Sequence, residues 1–275
     1  MKFALQNTIV RLSRLVPQSL RSSLAASPYG NLARRILNRV NTSPQPIAEL
    51  CGPLKGQRMR VTWESHKTYV FGTHEPQVMQ TIKDVVRPGW TVMDVGANIG
   101  YSTLLLANCV GSNGKVLAFE PLASNFQMLQ ENIRLNKHTN VHAENLALMD
   151  RAGSIELRTA TPGAMAWAAT ILIDEAKAVE SQTVTATTLD EYVERNGISK
   201  IDFVKMDIEG AEAAALSGMR EVLDRHKPIL LIEIHQADLY GEKHAALQKL
   251  REHNYKISDV SARDWERHVL ATAPA

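Results

Sequence analysis

Val92-Met93-Asp94-Val95-Gly96-Ala97-Asn98-Ile99-Gly100 is the stretch on which the fold turns. Residues 91–95 have the length and apolar content of a buried strand, with an acid next to its end. A glycine-rich turn follows, and residues 99–109 then repeat apolar side chains at helical spacing. Strand, glycine turn and helix in that order open a Rossmann-like α/β unit, where glycines let the backbone turn tightly and approach a ligand. Asp94 narrows the ligand. A dinucleotide places its phosphates at the helix N-terminus, where a carboxylate would repel them. A carboxylate suits a ligand that carries an ammonium group and no phosphate. The stretch also lacks a full Gly-x-Gly-x-x-Gly.

Outward from this stretch, helix and strand patterns alternate. Strands are expected at 115–119, 141–145, 153–158, 183–187, 201–206, 229–234, 255–260 and 268–272. Helices are expected at 77–86, 124–136, 189–195, 211–223 and 242–253. Upstream, 60–63 and 68–71 read as two short strands leading into the domain. Strands separated by helix-length segments predict a mostly parallel sheet with helices on both faces. A stretch at 163–170, carrying Trp167, lies between strand candidates and reads either as a lid over a site or as a surface excursion.

The 275 residues suffice for one enzyme-sized domain with an appendage. The formal charge of +2 conceals an asymmetry. Residues 1–48 hold seven basic side chains and no acidic one, which leaves 24 basic against 29 acidic residues in the remainder. A mildly acidic body does not suggest a nucleic-acid binder. Residues 41–46 form a Ser/Pro-rich break, so the chain divides into a basic helical extension, 1–46, and a catalytic domain, 47–275. Three readings fit the extension: a helical cap packed on the domain, a peripheral contact with an anionic membrane surface, or an organellar transit segment. No apolar run reaches the ~18 residues of a membrane span, and Cys51 and Cys109 stand without metal or redox spacing. A cytoplasmic protein, peripheral on the membrane at most, is the expectation.

Two further segments carry chemistry. Glu120 follows the 115–119 strand, 24 residues after Gly96, close to the spacing of an acid that accepts hydrogen bonds from ribose hydroxyls. A ribose, an ammonium group and no phosphate are together the properties of S-adenosylmethionine. In Ile201-Asp-Phe-Val-Lys205-Met-Asp207-Ile-Glu209-Gly210, an apolar strand delivers Lys205, Asp207 and Glu209 to its carboxyl end. Alternation puts all three on one face if the extended chain continues to Glu209. The next strand ends Glu233-Ile-His235, so two strands aim acids and a histidine at one crevice. His235 is the neutral base by intrinsic pKa, whereas Asp207 and Glu209 can instead hold a hard cation such as Mg²⁺.

These motifs, with Gly72-Thr-His-Glu75-Pro76, Thr188-Leu-Asp190 and Glu212 of the Lys205 segment, resemble the FkbM family of methyltransferases in residue type and order. The resemblance runs from about residue 71 to the C-terminus. It implies a class I Rossmann-like methyltransferase fold and methyl transfer from S-adenosylmethionine, usually to a hydroxyl oxygen of a sugar or secondary metabolite. It further implies that Asp94, Gly96, Asn98 and Gly100 surround the methionine part of the cofactor. Glu120 would then hold the ribose, Asn145 would lie near adenine, and Asp207 would face sulfonium and acceptor. Catalysis would fall to Asp207, His235, Glu209 and Lys205, acting on a small-molecule or glycan acceptor. A dinucleotide-dependent oxidoreductase and a non-catalytic binding protein on the same fold are the competing readings.

Overall fold

The computed structural model describes residues 47–160, 169–235, 243–262 and 266–274. The N-terminal extension and most of the stretch around Trp167 lie outside them. The described chain opens with an antiparallel pair, β1 (Ile47–Glu49) and β2 (Arg58–Arg60), then helices α1 (Trp63–Phe71) and α2 (Pro76–Val85). Next come β3 (Thr91–Val95), α3 (Tyr101–Val110), β4 (Lys115–Phe119), α4 (Ala123–Leu135) and β5 (Val141–Glu144). β6 (Ala147–Leu148), β7 (Gly153–Thr159) and β8 (Glu180–Thr187) form a separate three-stranded sheet. The last part is α5 (Leu189–Arg195), β9 (Phe203–Met206), α6 (Glu212–Ser217), β10 (Ile229–His235), α7 (Ala245–Glu252), β11 (Lys256–Ala262) and β12 (Glu266–Thr272).

The main sheet has seven strands in the order β11-β12-β10-β9-β3-β4-β5. The five from β10 to β5 are parallel, and β12 runs antiparallel to both of its neighbours. This is the Rossmann-like, mostly parallel sheet expected, with helices on both faces. The strand order reverses at β3, so the crevice for a ligand opens at the carboxyl ends of β3, β4 and β9.

Alternation along the strands sorts side chains into two layers. Val92, Phe203 and Leu231 pack with Met79 and Ile82 of α2 and Leu104 of α3. Met93, Leu117, Met206 and Ile232 pack on the other face with Leu216 and Leu250. Each such burial contributes ~1.5–3 kcal/mol against chain entropy. On the first face the apolar run gives way, towards the strand ends, to a buried polar row of Asp94, Lys205, Glu233 and His268. The register explains the row: Asp94 pairs with Lys205, and Glu233 with His268.

Three elements differ from the sequence expectation. The strand expected at 60–63 is β2 at Arg58–Arg60, and Trp63 already opens α1. Residues 68–71 are the end of α1 rather than a strand. Gly72 closes this helix in the left-handed region, φ 66°, with its N–H on the Thr68 and Tyr69 carbonyls. A Cβ there would lie 2.5 Å from the Cys51 carbonyl oxygen, so the β1–β2 segment packs directly against this turn. The expected helix at 211–223 is broken: α6 stops at Ser217, and a short wide turn of helix follows at Val222–His226. Gly218 sits so close to the Met149 carbonyl that a Cβ would lie 1.9 Å from its oxygen. Asp190 then caps the second piece, accepting from the Glu221 and Val222 N–H groups at 3.1 and 3.0 Å.

Candidate active site

The loop after β3 shapes the site. Gly96 has φ 81°, and a Cβ on it would come within 1.8 Å of the Asp207 carbonyl oxygen, so only glycine lets this loop close on the end of β9. The Gly96 and Ala97 N–H groups donate to the Phe119 carbonyl at 3.0 and 2.9 Å, tying the loop to β4. Glu120, one residue on, accepts from the Asn98 N–H at 2.8 Å and the Leu122 N–H at 3.0 Å. Burial pushes its pKa up to about 7, against the pull of these hydrogen bonds.

Loop, strand ends and the small sheet enclose a cavity of about 970 Å³. Of the residues expected at the cofactor, Gly96, Asn98, Glu120 and Asp207 line it. Asp94, Gly100 and Asn145 do not line it: Asp94 and Gly100 are buried, and Asn145 is exposed. Asp94 is fully buried; Thr103 Oγ1 donates to its Oδ2 at 2.6 Å, and its Oδ1 has no partner. Burial raises its pKa, although Lys205 and the Thr103 hydrogen bond oppose this. Asn145 Nδ2 donates to the Glu120 and Pro121 carbonyls at 2.9 and 2.8 Å, so it pins the turn that carries Glu120. Gly100 packs under α4, where a Cβ would lie 2.8 Å from Leu129 Cδ1.

Lys205, Asp207, Glu209 and His235 all line the same cavity. Lys205 Nζ lies 3.1 Å from Asp207 Oδ2. Burial would lower the pKa of this ammonium, but the carboxylates of Asp207, Asp94, Glu75 and Glu233 outweigh burial and raise it. Glu209 arrives by a turn, not by continued extension: β9 ends at Met206 and Glu209 has φ 52°. Its Oε2 is 3.3 Å from His235 Nε2.

His235 is held on three sides. Its Nδ1 is 2.9 Å from Glu212 Oε1, and its Nε2 is also 3.5 Å from Glu233 Oε1. Burial lowers its pKa, yet the hydrogen bond and charge of Glu212, with Asp207 and Glu233, raise it to about 10. The imidazole is therefore protonated at neutral pH. These acids favour the protonated imidazole over the neutral base that the intrinsic pKa alone suggests. Sequence alone gives Glu212 no role in the site. It is fully buried, also accepts the Gly210 N–H at 2.9 Å, and keeps an unpartnered Oε2.

Helix α1 and its connection to α2 supply a wall that sequence reasoning did not assign: His66, Tyr69, His74 and Glu75, with Tyr101 of α3. Tyr69 stacks on Tyr101, centroids 4.5 Å apart, and meets the edge of His74 at 4.4 Å. Glu75 takes a left-handed φ of 39° just before Pro76 opens α2, and this turns its carboxylate inward to His74 Nε2 at 3.1 Å. Burial would raise the Glu75 pKa, but His74, Lys205 and His268 together hold it down at about 2. The motif 72–76 was the available signal for this wall, and the strand reading of 68–71 hid it.

Two acid–histidine groups share Glu233 and have ligand atoms within 4.8 Å of one another: Asp207, Glu233 and His235, and Glu75, Glu233 and His268. Carboxylates of both groups interact with the Lys205 ammonium, and His235 is itself a member of the first. No helix among the described residues is long and apolar enough to cross a membrane.

Comparison with known proteins bears on this cleft. Residues 94–257 match the family described as methyltransferase FkbM domain. The chain is 27% identical over 161 residues to the hexuronic acid methyltransferase AglP of Haloferax volcanii, covering 58% of this chain and 62% of that protein. It is 24% identical over 212 residues to the AMB antimetabolite synthetase AmbE of Pseudomonas aeruginosa, covering 63% of this chain but 10% of AmbE. The chain thus spans less than two thirds of either relative. Among solved structures, the methyltransferase FkbM of Methylobacillus flagellatus is similar at a TM-score of 0.46 and 20% identity, over 74% of this chain and 52% of that one.

Proposed function

The chain belongs to the FkbM methyltransferase domain family, and from that premise we propose that its cleft transfers a methyl group from S-adenosylmethionine to a hydroxyl oxygen of a sugar, glycolipid or secondary metabolite. The observation that carries this reading is one cavity lined by the Gly96–Asn98 loop, Glu120 and Asp207. The loop brings backbone close to a ligand. Glu120, held by two N–H groups, retains lone pairs for ribose hydroxyls. Asp94 lies fully buried one layer behind the loop and does not line the cavity.

The cofactor supplies an electrophilic methyl group on a sulfonium. The protein must hold the acceptor oxygen in line with the C–S bond, and much of the acceleration comes from that positioning. The carboxylates of Asp207, Glu209 and Glu233 suit a cationic centre. They also suit the proton released by the acceptor, because His235 already carries one. Asp207, anchored by Lys205 at 3.1 Å, is the base this reading favours. The acceptor is a small molecule or glycan rather than a nucleic acid, in keeping with 24 basic against 29 acidic side chains beyond residue 48.

Asp207→Asn removes the charge and keeps the shape. It is expected to lower turnover by at least about a hundredfold while S-adenosylhomocysteine affinity changes far less. Wild-type turnover in this variant would remove Asp207 from the chemistry. A second reading rests on the Asp207–Glu233–His235 group, whose two carboxylates and imidazole could hold Mg²⁺ to polarise the acceptor oxygen. The positive charges already there oppose it. Dialysis against a chelator is expected to leave the rate unchanged, and loss of activity restored by added Mg²⁺ would favour the metal.

A further inference from the structure

We propose that the wall formed by His66, Tyr69, His74 and Glu75, backed by Tyr101, is the acceptor subsite, and that it selects an uncharged polyhydroxylated ring over an anionic one. The inference rests on the methyl-transfer reading above and names the substrate class of that site. All five residues line the cavity that also holds Glu120 and Asp207. The first four lie before residue 94, outside the matched family segment 94–257.

The chemistry of the wall fits such a ring. Tyr69 and Tyr101 stack with an interplanar angle of 21°, and His66 lies 5.1 Å from Tyr69. Aromatic faces bury the C–H face of a sugar, and carboxylates accept its hydroxyls. The Tyr101 hydroxyl is buried, so Tyr101 contributes its stacked ring rather than a hydrogen bond to this wall. Burial keeps His66 neutral, with a pKa lowered to about 4.

Charge sets the selectivity. Among the described lining residues there is no arginine, and Lys205 is the one lysine. Lys205 is held by Asp207, His74 by Glu75 at 3.1 Å, and His235 by Glu209, Glu212 and Glu233. An anionic acceptor would meet Glu75, Asp207, Glu209 and Glu233 with every described cation already neutralised. A neutral polyol meets the same carboxylates as hydrogen-bond acceptors.

Saturation-transfer difference NMR on the full-length protein tests this, with S-adenosylhomocysteine present and two probes, methyl α-D-glucopyranoside and methyl α-D-glucopyranosiduronate. The neutral glycoside is expected to receive about tenfold more saturation than the uronate. Tyr69→Leu should abolish that transfer with S-adenosylhomocysteine affinity unchanged by calorimetry, and Tyr69→Trp should retain it. Glu75→Gln should narrow the difference between the probes and supports the inference even if Tyr69→Leu fails to fold. Equal or greater transfer to the uronate, no transfer to the glycoside, or unchanged transfer in folded Tyr69→Leu overturns the subsite. If S-adenosylhomocysteine does not bind while the glycoside result holds, the cofactor reading falls and the subsite stands.

Discussion

Single carboxylates in this cleft differ because their surroundings differ. Glu75 is held near pKa 2 by cations, whereas Glu120 is pushed up to about 7 by burial. Glu120 therefore carries a proton in the folded protein between about pH 4.5 and 7, and ionising it subtracts from stability as pH rises through that window. Cofactor binding has the opposite sign, because ribose hydroxyls donate to the ionised form. S-adenosylhomocysteine affinity is expected to fall by about tenfold per pH unit below about 7. Calorimetry across pH 5.5 to 8 checks this, and Glu120→Gln should bind weakly and without that dependence. A flat wild-type profile would mean that the Glu120 charge is not used. Glu120 was legible because its distance from Gly96 is a property of sequence; its pKa was not, because burial is a property of the fold.

At the scale of elements, Asn132 of α4 links three segments. It is fully buried; its Oδ1 accepts the Arg60 N–H at 2.7 Å, and its Nδ2 donates to the Ile99 carbonyl at 2.8 Å. It thereby fastens β2 and the glycine loop to one helix. Asn132→Ala leaves these backbone groups unpaired and should destabilise the protein by about 2 to 4 kcal/mol in denaturant unfolding. A loss below about 0.5 kcal/mol would show that water replaces the amide. Strands such as Thr91–Val95 and Lys115–Phe119 were legible to the residue because both faces are buried and the apolar run is continuous. Residues 68–71 misled because Thr, Tyr, Val and Phe favour strands, while the Gly72 cap and its contact with Cys51 decide for a helix. The break after Ser217 escaped for the same kind of reason: the clash that fixes Gly218 comes from Met149, distant in sequence.

Across the whole molecule, charge is divided between a basic extension, residues 1–46, and an acidic body that holds the cleft. If the extension packs as a cap, a chain beginning at Ile47 should have a Tm lower by roughly 4 to 8 °C, equivalent to about 2 kcal/mol. Both forms should then stay in the supernatant with anionic liposomes at low salt. Sedimentation of the full-length form alone, reversed by high salt, would place the extension on a membrane surface instead. The proposed cleft, with its glycine loop between β3 and α3 and Glu120 beside it, is expected to favour an adenosyl ligand carrying an ammonium group over a phosphate-bearing one. Calorimetric titration of the purified protein with S-adenosylhomocysteine and, separately, with NAD tests it most directly. Saturable one-site binding of S-adenosylhomocysteine with no heat from NAD is expected; binding of NAD, or no binding of S-adenosylhomocysteine, would contradict it.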